Sequence, residues 1–212
     1  RILATRSGVN IGIAAINGIE EISANGNVSV NVVGTANHQT LDFSNVAFTG
    51  IGLVDALGGN DTIHTSNHTA GQAYRGGAGH DTFYLGSQDT VLRVSAADNN
   101  GFDNFRDNGS AVHTLIAENA NTQIGLGTPY GGTSSVDVIS GNGKANVTIV
   151  GSGSVHNVWT LSGTQLIGIK EVATGGGNDT IHTSNLAPAG QVTPETRRRR
   201  HLCDSRTRFL QE

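Results

Sequence analysis

Gly76 to Tyr84 reads GGAGHDTFY, and the types and spacing of these residues could hold a hard cation. Glycines at the first, second and fourth places (Gly76, Gly77 and Gly79) permit backbone angles that side chains forbid, and they let carbonyl oxygens approach an ion. Asp81 adds an anionic oxygen of the kind that Ca2+ prefers. Phe83, two places on, would point inward from a short strand. Three other stretches keep part of the pattern. Ala56–His64 (ALGGNDTIH) keeps Gly59, Asp61 and Ile63. Thr174–His182 (TGGGNDTIH) keeps Gly175, Gly177, Asp179 and Ile181. Asp98–Arg106 (DNNGFDNFR) keeps Gly101, Asp103 and Phe105. The expected metal ligands are the glycines and aspartates of these four stretches, serving a few calcium ions rather than a full row. The competing reading needs no ion, because Asp-Thr after Gly or Asn makes an ordinary Asx-turn.

Other chemistry is thinly represented. His64 and His182 each follow an apolar slot and read as exposed strand residues. His68, His80, His113 and His156 show no ligand spacing. Asp98, Asp103 and Asp107 read as an acidic loop, either a solvated turn or a place for another cation, and Trp159 reads as a core residue aligned with Leu41. No Gly-x-Ser-x-Gly elbow, His-Glu-x-x-His helix or phosphate loop occurs, so no catalytic residue is assigned.

The elements that must position the motifs repeat. EISANGNVSVNVVG (21–34) resembles VISGNGKANVTIVG (138–151). SNVAFTGIGLVDALGGNDTIHTSN (44–67) resembles SGTQLIGIKEVATGGGNDTIHTSN (162–185), and the octet NDTIHTSN is identical in both. Units too small for separate cores stack into a solenoid. Within each copy, short β-branched runs such as VSVNVV end in Gly or Asn, a strand-and-turn rhythm. The best helix candidate is Thr114 to Asn121. The expected organisation is a first repeat unit over 1–120, a second over 121–193, and a basic tail over 194–212.

Composition agrees with an all-β chain. Thirty of 212 residues are glycine, 36% are hydrophobic and only 14% are charged. Residues 1–193 carry 7 basic and 14 acidic residues, which disfavours nucleic acid and suits hard cations. No run approaches the roughly 18 apolar residues of a membrane span. The single cysteine, Cys203, excludes a disulfide framework. With no methionine and Arg1 first, the chain reads as a piece of a longer protein.

Gly76 to Tyr84 fits the nonapeptide G-G-x-G-x-D-x-U-x (U, large apolar) at every fixed position. On that motif, its partial copies and the long repeat, the chain resembles the RTX (repeats-in-toxin, haemolysin-type) secreted proteins over roughly residues 16–193. The resemblance implies a parallel β-roll or right-handed β-helix with degenerate repeats. It implies calcium-triggered folding after type I secretion, and an extracellular, in part cell-surface, location with polysaccharide as one further partner. A tandem nonapeptide run is absent, so tight β-roll is expected locally, with looser β-helix around it. The rival readings are part of a secreted protease, lipase or polysaccharide-active enzyme, or of an adhesin or surface-layer protein.

The tail breaks the pattern. The repeat offset places another complete motif near 195–203, where the chain reads ETRRRRHLC. Arginine codons moved by one base read as Gly, Ala, Asp or Val, so residues from about 194 onward read as a shifted frame. The alternative is a basic tail that binds a partner.

Overall fold

In the computed structural model the described residues are 1–98, 101–107, 109–132, 135–153 and 155–182. The tail and its frameshift reading lie outside them. The chain winds into a parallel β-solenoid of about eight turns, and every strand pair among the described residues is parallel. One sheet runs its length with eight strands: Asn10–Gly12, Val30–Thr35, Ile51–Leu57, Gln72–Arg75, Thr90–Val94, His113–Ala117, Val138–Ser140 and Gln165–Ile167. A four-stranded sheet carries the motif strands Thr40–Asp42, Thr62–His64, Thr82–Leu85 and Asn104–Asp107. A three-stranded sheet (Ile2–Leu3, Glu21–Ser23 and Ala47–Thr49) adds a third face to the first turns.

Successive turns are not of constant length. Thr90 faces Gln72, 18 residues back, whereas Leu166 faces Ile139, 27 back. From Ile51 to Ala117 each turn has two strands, one in each large sheet. The complete motif, Gly76 to Tyr84, lies within the 18-residue turn from Gln72 to Thr90.

The reason for stacking is legible in the inward positions. Val32, Val54, Tyr74, Leu92, Leu115, Ile139 and Leu166 fall in register down the long sheet and are all buried. Leu41, Ile63, Phe83 and Phe105 form the facing ladder, with the two phenylalanine rings stacked at 5.7 Å. One turn cannot bury such a row; neighbours above and below must do it.

Two expectations resolve here. Thr114 to Asn121 is not a helix: its first four residues belong to the strand His113–Ala117, paired on both sides. Leu115 and Ala117 point in while Thr114 and Ile116 point outward, a period of two that tertiary pairing imposes on a run whose local propensity is ambiguous. Trp159 is core, fully buried, and its indole N–H donates to the Gly127 carbonyl at 3.1 Å.

The sequence duplication maps strand for strand, but the copies do not occupy the same faces. Glu21–Ser23 belongs to the three-stranded sheet, whereas its counterpart Val138–Ser140 belongs to the long sheet.

Candidate functional site

The solenoid brings three of the four motif stretches into one corner. Strand register places Asp61 over Asp81 over Asp103, and Gly59 over Gly79 over Gly101, each on a successive turn. Gly58 and Ala78 bridge the first pair of turns, with Ala78 N–H donating to the Leu57 carbonyl and Gly59 N–H to the Ala78 carbonyl, both at 2.9 Å.

The glycines are required by that stacking. Gly77 and Gly79 adopt φ of 93° and 126°, in the left-handed region that disfavours side chains. A Cβ at Gly77 would run into the Leu57 carbonyl, and one at Gly79 into the Gly59 carbonyl. Gly76 makes room for the Asp81 carboxylate of its own turn. Gly101 lies against the Gly79 carbonyl, and Gly125 continues the column against Gly101. Gly125 has no aspartate after it, so the motif could not reveal it; only the turn spacing would.

The aspartates form a column of carboxylates bonded turn to turn. Gln39 N–H donates to Asp61 Oδ1 at 2.7 Å, Asp61 N–H to Asp81 Oδ1 at 2.8 Å, and Asp81 N–H to Asp103 Oδ1 at 2.9 Å. All three side chains are buried, Asp81 completely. The second oxygens of Asp61 and Asp81 have no hydrogen-bond partner. Burial raises the Asp61 carboxyl above its ordinary value, against the opposing pull of the Gln39 N–H and His38. Burial, with the like charge of Asp61 adding to it, pushes Asp81 up to about 6. Burial first and Asp81 second raise Asp103 well above the ordinary carboxylate range. The column is thus a row of acids that folding makes reluctant to ionise.

The fourth stretch stands apart. Gly175 packs on Gly151 and Gly153, Gly177 on the Val155 carbonyl, and Asp179 Oδ1 accepts the Asn157 N–H at 2.8 Å. The local geometry repeats that of the column on a single, half-buried aspartate. The reading of Asp98, Asp103 and Asp107 as one solvated turn is corrected. Asp103 is buried because the 22-residue turn sets it beneath Asp81. Asp107 Oδ1 lies 3.6 Å from Nε2 of the fully buried His113 at the opposite corner. His64 points outward and stacks on Tyr84 at 4.5 Å, and His182 is exposed.

Among the described residues no three side chains of His, Cys, Asp or Glu converge as a complete metal cage. An ion at this corner would therefore need main-chain oxygens beside the carboxylates. The donor set fits a hard cation in kind: only oxygens, two of them buried carboxylate oxygens lacking a partner. No protein-family model matches the chain, and no curated protein or solved structure is significantly similar to it.

Proposed function

We propose that this chain is a calcium-binding stretch of solenoid from an exported protein of the RTX kind, and that the Asp61–Asp81–Asp103 column is its ion-responsive part. The observation that carries the reading is the pair of orphaned carboxylate oxygens, on Asp61 and Asp81, in a buried row of like charges. At neutral pH such a row must be neutralised by protons or by a cation, since burying an unpaired anion is expensive. Asp61 and Asp81, with Asp103 below and carbonyl oxygens of the Gly59 and Gly76–Gly79 turns, would hold the ion. Calcium would supply the positive charge that the column lacks.

Coupling follows from this arrangement. An ion that binds the stacked turns and not the open chain adds its binding free energy to folding. A chain so built would stay unfolded where calcium is scarce and wind up where it is abundant, which suits passage through a type I secretion machine to the extracellular medium. Within a larger protein, the stretch would serve as a folding and spacing stem, with cell-surface polysaccharide a further partner. The Gly175, Gly177 and Asp179 turn would be a weaker, single-layer site.

A second reading has specific support. Each column carboxylate already accepts one backbone N–H, and turn stacking alone accounts for the glycines. On that reading the column is a protonated structural spine. Calorimetric titration with Ca2+, with Mg2+ as control and circular dichroism in parallel, separates the two. The calcium reading expects saturable heat and a gain of β signal. No heat and an unchanged spectrum would leave the structural spine.

A further inference from the structure

An open cavity of about 220 Å³ lies against the outer face of the long sheet and shares no residue with the acid column. Two stretches of chain wall it, residues 48–52 and 69–73, each turning into a strand of that sheet. The turns are made at Gly50 and Gly71, with φ of 70° and 72°. The floor is nearly bare of side chains. Gly52 stands where the strand Ile51–Leu57 slips in its pairing with Val30–Thr35, and Ala73, outward beside the inward Tyr74, adds only a methyl. Val91 and Arg93, one turn on, close the remaining side. With so few side chains the walls are largely main chain, whose amide groups can bond a ligand's hydroxyls.

Among the described residues that line the cavity, Arg93 alone is charged, and it is incompletely paired. Arg75, in the preceding turn, holds Asp55 Oδ2 at 2.5 Å and Glu118 Oε2 at 3.0 Å. Arg93 reaches only the other oxygen of the same Glu118, at 3.4 Å, and its Nε has no hydrogen-bond partner. Two guanidiniums thus share one carboxylate, and the one at the cavity has the weaker hold. Its side chain is 37% exposed, so a ligand can meet it. A planar guanidinium so placed is a receptor for a second carboxylate.

Size and lining narrow the ligand. The space is below the roughly 300–1,000 Å³ of sites for drug-sized molecules, so it suits a single ring. Main-chain walls favour a polyhydroxylated ring over an alkyl chain, which gains only from apolar contact. Glu118 beside the guanidinium favours a single negative charge over a dianion. We propose that this cavity binds one hexuronate unit of an acidic saccharide, with Arg93 holding the carboxylate and the main chain of the two glycine turns holding ring hydroxyls. Such binding gives the polysaccharide partner named above its chemistry and its place; it rests on that part of the proposed function and does not need bound calcium.

Proton–nitrogen NMR of the full chain tests this in millimolar calcium, where the chain is folded on either reading of the column. The probes are sodium glucuronate, its methyl ester and glucose. Glucuronate should shift the amides of Gly50, Gly52, Gly71 and Ala73 saturably, and neither neutral sugar should. Arg93→Gln leaves Glu118 to Arg75, so the fold should be kept while glucuronate binds about tenfold more weakly. Undiminished binding by that variant would overturn the assignment. Equal shifts from the ester would also overturn it, a comparison that needs only the wild type, and the saccharide partner would survive as a neutral one. Glucuronate shifts confined to other residues would overturn it too, placing the saccharide partner elsewhere. No shift from any probe would remove the cavity as a saccharide site, and the calcium titration of the column would be unaffected by that result.

Discussion

Asp81 concentrates the chemistry of this corner: it is fully buried, bonded through one oxygen, unpartnered at the other and held near a pKa of 6. In the unfolded chain the same carboxyl ionises near 4. Its contribution to stability is thus complete below that value and is lost as pH rises through about 6. The loss is roughly 3 kcal/mol at neutral pH in the metal-free protein. Asp81→Asn keeps an acceptor for the Asp61 N–H and removes the charge. It should therefore raise the metal-free melting temperature at pH 7 and abolish any response to calcium, as read by paired melts. Gly79→Ala should act in the opposite direction. Its Cβ meets a backbone carbonyl at a left-handed φ, so denaturant unfolding should show a loss on the order of 3 kcal/mol. The motif residues could be picked out in the sequence because the nonapeptide fixes Gly, Asp and a large apolar residue at stated places, whether they serve an ion or a turn. The backbone bonds accepted by Nδ1 of His38, His80 and His156 could not, since a side chain that bonds a backbone 22 residues away has no local signature.

Strands rather than turns carry the apolar burial. Phe105 stacks on Phe83 along the inward ladder and touches Tyr130 edge-on, so Phe105→Ala should cost about 3–5 kcal/mol in denaturant unfolding. Val112→Ala, at a half-exposed site outside the strands, should stay within about 0.5 kcal/mol. Much of this element pattern could be read beforehand from β-branched runs and glycine punctuation. The strand His113–Ala117 could not, because a short apolar run serves helix or strand until its neighbours fix the period. The change from three strands per turn to two was equally hidden, as it depends on where the chain turns rather than on what the strands contain.

At the scale of the whole molecule, the sequence duplication and the solenoid winding follow different periods. A copied segment can therefore land on another face and still bury the same inward row. What unites the turns is the apolar ladder along both large sheets; what distinguishes one corner is a column of buried acids that, on the proposed reading, needs a counter-charge once it ionises. That need is tested most directly by melting the full chain from pH 4 to pH 8 in chelator and in millimolar calcium. Calcium should add little at pH 4, where protons already occupy the column, and progressively more as pH rises past 6. Superimposed curves at every pH would contradict the account and leave the aspartates as a proton-satisfied spine.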